Sequence, residues 1–166
     1  MPKIEVNRKL FFERVGKKLA LEDLVDLLEC AKAELDGVLE EQDVLKIELN
    51  DTNRPDLWST MGLARQLAAY LGGAEKKYDF FSTPEKAAPT GGKRVIVDKK
   101  LQHIRPFIAA FVAAGTPVDE PRLVDMIQSQ EKLCGNFGSK RKSIAMGIYR
   151  SDIIAYPVRY LSLIHI

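Results

Sequence analysis

Histidine and cysteine are scarce in this chain, and their scarcity narrows the chemistry open to it. Its two cysteines, Cys30 and Cys134, have no partner at metal-ligand spacing and read as free thiols in a reducing compartment, with Cys30 expected in a helix core. His103 has neither a neighbouring cysteine nor a serine nucleophile, so no catalytic role is read into it. No stretch reaches the ~18 apolar residues of a membrane span, and the N-terminus has no secretory apolar region, so the expected compartment is the cytoplasm. Gly91-Gly92 does not continue into the Gly-Lys-Ser/Thr of a phosphate loop, and Asp98, Asp125 and Asp152 form no paired-carboxylate spacing. No ATP constellation, metal site or catalytic residue is therefore read from the sequence. There is no internal repeat and no low-complexity tract.

A net charge of +2 lacks the overall basic character of a dedicated nucleic-acid binder. Its distribution is uneven. Residues 1–60 hold nine basic and fourteen acidic side chains, or −5, whereas residues 61–166 hold sixteen and nine, or +7. Contact with RNA phosphate is accordingly expected in the second half. With 166 residues and 46% hydrophobic side chains, the chain is long enough for one medium domain or two small ones.

What is present centres on residues 45–73. Leu45, Ile47 and Leu49 alternate with Lys46, Glu48 and Asn50, which predicts a half-buried strand. Leu57, Met61, Ala64, Leu67, Ala68 and Leu71 then recur at helical spacing until Gly72-Gly73. Between them, Asn53-Arg54-Pro55-Asp56-Leu57 forms a crowded polar turn in which Pro55 fixes its own φ and restricts Arg54. Upstream, residues 3–7 alternate as a short strand, and Leu10-Phe11-Phe12 runs into a turn around Gly16. Leu21, Leu24, Val25, Leu28, Ala31 and Leu35 stripe a first helix that stops near Gly37. Downstream, residues 74–93 read as a linker enclosing a short strand at 78–81. Strands are expected at 94–97, 105–114, 143–149 and 156–161, and a helix begins at Pro121 after Asp119.

Two blocks carry a resemblance. The N-R-P-D-L turn with G-L-A-R-Q-L resembles the N-terminal module of the phenylalanine–tRNA ligase β subunit. Separately, His103-Ile-Arg-Pro-Phe followed by Gln130-Glu-Lys-Leu-Cys-Gly-Asn-Phe-Gly-Ser-Lys-Arg-Lys-Ser143 resembles the start of that subunit's editing domain, in the branch similar to archaeal and eukaryotic subunits. The resemblance implies an α+β fold: a small helix-rich, B1-like module at 1–73, the 74–93 linker, and an incomplete mixed α/β editing-type (B3/B4-like) domain at 94–160. Residues 161–166 read like a translated transposon-end adapter and are set aside as a non-native tail, which removes His165.

For function, the resemblance implies a ligase subunit supporting tRNA(Phe) aminoacylation and hydrolytic editing of mischarged tRNA. It implies partnership with the α subunit in an αβ heterotetramer and with tRNA(Phe), and neither membrane nor DNA. Cofactors are expected to be none in this segment, with ATP and Mg²⁺ serving the whole enzyme through the α subunit. Editing-site candidates by position in the matching block are Gln130, Lys132, Arg141 and Ser143, and Cys134 stands where the family often has histidine. The family's deeper acidic and threonine residues are expected beyond residue 160.

Each group also has a structural reading. Asn53, Arg54 and Asp56 suit tRNA or partner contact, but Asp56 as a helix cap worth about 1 kcal/mol, with Arg54 bridging turn and helix, is favoured. Trp58 is expected to be buried rather than stacked on a base. Lys140, Arg141 and Lys142 divide evenly between a solvated face and phosphate contact. Two other classes compete: a free-standing editing-type deacylase or tRNA-binding module, and a small winged DNA-binding protein, which the −5 balance of residues 1–60 disfavours.

Overall fold

The computed structural model describes residues 2–73, 91–115 and 117–161. These fall into two compact units, one drawn from residues 1–75 and 117–148 and the other from 76–116 and 149–166. Mixed α/β architecture is observed, as the sequence implied.

The first unit is built on a three-stranded antiparallel sheet of β1 (Lys3–Asn7), β2 (Ala33–Leu39) and β3 (Val44–Leu49), in the order β1-β3-β2. Register pairs Ile4 with Ile47 and Val6 with Leu45, so the alternating apolar side chains of β1 and β3 share one face. Ile4, Val6, Leu45 and Ile47 are fully buried there. Three helices cover that face: α1 (Arg8–Val15), α2 (Leu21–Glu29) and α3 (Thr60–Tyr70), contributing Phe11, Leu24, Leu28, Leu63 and Leu67 to one cluster.

Three expectations for this unit change. Residues 8–15 are a helix rather than a run into a turn, because Asn7 accepts the Leu10 N–H at 2.9 Å and Gly16, at φ +82°, lets its own N–H close on the Phe12 carbonyl. The helix expected from Leu21 to beyond Leu35 stops at Glu29. Lys32 turns the chain at φ +51°, Leu35 pairs with Ile47 in β2, and Gly37 lies inside that strand beside a bulge instead of ending a helix. Cys30, expected in the core, caps α2 and is exposed.

A fourth helix, α4 (Glu120–Lys132), begins as expected, with Pro121 in its first turn and Asp119 accepting the Arg122 N–H. The anticipated division assigned it to residues 94–160, yet it groups with the first unit through polar contacts. Asp125 Oδ1 accepts the Thr60 N–H at 3.1 Å, and the Gln128 side-chain amide both donates to and accepts from the Glu5 backbone at 2.7 Å. Its Leu123, Val124 and Ile127 side chains are exposed.

In the second unit, β4 (Val95–Val97) pairs in parallel with β5 (Val158–Tyr160), placing strands where two of the four were expected. The other two are corrected. Residues 105–114 have no regular structure, with Phe107 and Phe111 each 91% exposed, since no strand among the described residues offers them a ladder. Residues 143–149, which belong partly to the first unit, are mostly exposed and unladdered; the segment folds back on the π turn that follows α4, where the Met146 N–H donates to Cys134 Sγ at 3.1 Å. The short strand expected at 78–81 lies outside the described residues.

Candidate functional site

The junction between β3 and α3 is held by its own side chains. Arg54 forks onto Asp56, Nε and Nη2 donating to the two carboxylate oxygens at 2.9 and 2.8 Å, and Nη2 also reaches Gln66 Oε1 at 3.4 Å. Arg54 thus bridges the turn and α3. These hydrogen bonds hold the Asp56 carboxyl below the usual carboxylate range and raise the Arg54 guanidinium further above neutrality.

With Asp56 committed to Arg54, the cap expected of it belongs to Ser59, whose Oγ accepts the Gly62 N–H at 3.0 Å. A short 3₁₀ turn at Pro55–Leu57 intervenes and moves the helix start three residues on. Trp58 is buried, 3% exposed, with its indole N–H directed at the Asp51 carbonyl at 3.4 Å, so it presents no face to a nucleobase. Gly62 explains part of the motif that sequence reasoning left as pattern. A Cβ there would stand 1.7 Å from the Asp56 carbonyl oxygen, so only glycine lets the turn and the first turn of α3 meet. Asn53 is exposed beside them.

The second group of sequence candidates gathers at the end of α4. Glu131, which was not among them, accepts from Gln130 Nε2 at 3.4 Å and from Arg141 Nη2, joining those two candidates. Lys132 is the last residue of α4, followed by a π turn at Leu133–Phe137. Ser139, Lys140 and Arg141 then take φ of +51°, +56° and +66°, and the Arg141 and Ser143 N–H groups bond back to the Cys134 and Gly138 carbonyls at 2.8 and 2.9 Å. Gly138 is required here too, because a Cβ would sit 2.4 Å from the Ile144 carbonyl oxygen. The loop therefore presents Lys140, Arg141, Lys142 and Ser143 on an exposed, tightly wound backbone, with Cys134 buried beneath. Sequence alone offered one signal for this winding, the two glycines of Gly135-Asn-Phe-Gly138.

His103 is exposed at the end of a 3₁₀ turn that Asp98 caps by accepting the Lys100 N–H. Among the described residues no cluster of three or more His, Cys, Asp or Glu side chains is arranged to hold a metal ion. No helix among them is long and apolar enough to cross a membrane.

Comparison with known proteins bears on both blocks at once. The family model for the Phe-tRNA synthetase beta subunit B1 domain matches residues 1–73. Over 162 residues, 98% of this chain, the sequence is 46% identical to the phenylalanine–tRNA ligase beta subunit of Borreliella burgdorferi strain ZS7 and 47% identical to that of Borrelia hermsii strain HS1 / DAH. Along almost its whole length the chain is similar to phenylalanine–tRNA ligase β subunits. It spans 28% of the length of these relatives. The crystal structure of an N-terminal fragment of the phenylalanyl-tRNA synthetase beta-subunit from Pyrococcus horikoshii superposes with a TM-score of 0.79 at 37% identity, covering 96% of this chain and 45% of that one. The similarity to this ligase-subunit family thus extends well beyond the B1 match, through α4 and the loop that carries Lys140 and Arg141.

Proposed function

We propose that the chain is the N-terminal part of a phenylalanine–tRNA ligase β subunit, supporting tRNA(Phe) charging and the removal of mischarged amino acid. The observation carrying this is the 46% identity sustained over 98% of the chain, including both motif blocks. Amino-acid activation, with its ATP and Mg²⁺, is assigned to the α subunit of an αβ heterotetramer.

Editing has a physical motive. A pocket shaped for phenylalanine discriminates only weakly against a side chain that adds one hydroxyl, so a second, hydrolytic site that hydrogen-bonds the hydroxyl supplies the missing selectivity. The exposed end of α4, with Gln130 and Arg141 joined through Glu131 and with Lys132 and Ser143 nearby in sequence, is the part of this chain we assign to the rim of that site.

The test is reconstitution. A full-length β subunit carrying these residues, purified with its α subunit, should charge tRNA(Phe) with phenylalanine and deacylate Tyr-tRNA(Phe). Failure of the purified pair to charge tRNA(Phe) would overturn the assignment, and charging without deacylation would overturn its editing half.

A further inference from the structure

The −5 balance of residues 1–60 conceals a local reversal. Residues 8–18 carry five basic side chains, Arg8, Lys9, Arg14, Lys17 and Lys18, against Glu13 alone, a net +4, so the rest of residues 1–60 carries −9. This stretch is α1 and the turn that ends it, and beside it the surface opens into a concavity of about 610 Å³. Lys9, Phe12, Glu13 and Gly16 line it at helical spacing, joined by Arg8, Lys17, Lys18 and Asp43.

The charges there are not equivalent. Arg8 lies 2.9 Å from Glu40 and 3.2 Å from Asp43, its Nε being buried without a hydrogen bond of good geometry. Glu13 is 3.5 Å from Arg122. Both rim carboxylates, Glu13 and Asp43, thus already face a guanidinium, whereas Lys9, Lys17 and Lys18 are exposed and form no ion pair among the described residues. Three uncompensated ammonium groups around one concavity make it locally positive. Lys9 stands in the first turn of α1 and Lys17 just past its end, at opposite ends of an eight-residue helix about 12 Å long, more than a single inorganic phosphate bridges.

We propose that this concavity binds successive backbone phosphates of an RNA strand, with Lys9 at one end, Lys17 and Lys18 at the other and Phe12 as an apolar floor. Lysine suits this role, since its ammonium meets phosphate as a mobile point charge without demanding a fixed geometry. Recognition is by phosphate and independent of base sequence.

The experiment uses the 166-residue chain alone and needs no α subunit, so its outcome is separate from that of the β-subunit assignment. Fluorescence anisotropy of a labelled twelve-nucleotide single-stranded RNA is measured between about 50 and 200 mM KCl. Lys9→Ala/Lys17→Ala/Lys18→Ala should weaken binding about tenfold and reduce the salt slope by about two, three contacts at ~0.7 each for a single strand. The corresponding triple arginine variant should bind as the parent does. Lys140→Ala/Lys142→Ala provides the competing assignment. Loss of RNA binding in that variant with the α1 variant unaffected would overturn the proposal, as would RNA displacement by inorganic phosphate or pyrophosphate at equal phosphate concentration, which would mark the site as one for a small anion.

Discussion

The Asp125 carboxylate accepts a hydrogen bond from the Thr60 backbone N–H across a separation of 65 residues, and both residues are buried. Thr60 is the first residue of α3, where backbone N–H groups have no partner within the helix. Asp125 supplies that partner from α4, and the positive end of α3 favours a carboxylate there. Asp125→Ala should therefore destabilise the first unit by about 1–3 kcal/mol through a stranded N–H, read as a lower urea midpoint. Asp125→Asn, which keeps an acceptor oxygen, should cost less. Equal midpoints for the alanine variant and the parent would show that the contact contributes nothing.

Gly62→Ala should be far more damaging than its single added methyl suggests. The Asp56 carbonyl 1.7 Å from the new Cβ is backbone and cannot rotate away, so turn and helix must separate. We expect a loss of about 2–4 kcal/mol, at the upper end for a surface-distant methyl insertion. Gly37→Ala, where a Cβ meets nothing within 4 Å, is the matched control and should change the thermal midpoint little.

Ser59→Ala should cost about 1 kcal/mol as the loss of a helix cap. Asp56→Ala should cost less at neutral pH, about 0.2–1 kcal/mol, because the Arg54 pair it removes is half exposed and screened. If denaturant melts rank these two substitutions the other way, Asp56 rather than Ser59 organises the start of α3.

The Arg54–Asp56 pair also sets a pH dependence. Hydrogen bonds from Arg54 lower the folded-state Asp56 pKa beneath its unfolded value of about 3.9. Its stabilising effect is therefore fully present above that value and fades as pH falls through the folded one. Asp56→Asn should flatten stability against pH in that acidic window and leave the slope near neutrality unchanged. An unchanged acid limb in chemical denaturation would refute the linkage.

Among the described residues, chymotrypsin should cut first after Phe107 or Phe111. Both are 91% exposed on backbone with no ladder, whereas Phe11 is wholly buried in the first unit. Mass spectrometry of a short digest should find these cuts before any within residues 2–73. Early cleavage at Phe11 would show that the first unit opens more readily than its packing implies.

Strands β1 and β3 were legible because each buries one alternating face. Leu45, Ile47 and Leu49 announce β3 by period alone, and Ile4 and Val6 announce β1, since a one-residue slip would expose either set. Pro121 and Asp119 announced α4 by local chemistry. Less legible was α1, whose two turns are too few for a helical period to stand out between a strand and Gly16, although Asn7 is its start signal and Gly16 its stop signal. Leu35 satisfied the helical spacing of Leu21 to Ala31 by coincidence, and only the positive φ of Lys32 separates them.

At the candidate sites, the sequence pointed to Arg54 as a bridge between turn and helix, but not to its fork onto Asp56 or to the cap at Ser59. Pro55 starts an isolated 3₁₀ turn that ends where Trp58 enters the core, a long-range packing that local sequence does not display. Glu131 as the link between Gln130 and Arg141 was hidden because it requires the three left-handed residues at 139–141, a conformation disfavoured in those side chains and set by bonds back to Cys134 and Gly138.

The doubly bonded Gln128 amide gives β1 what a neighbouring strand would give it at one residue. Glu5 lies on the outer edge of the sheet, where unsatisfied N–H and C=O groups invite pairing with another chain. That protection comes from 123 residues further along. During synthesis the sheet can close with its own residues well before α4 emerges, so for that interval the nascent polypeptide carries an open template for misassociation, and Gln128 is the residue whose arrival ends it.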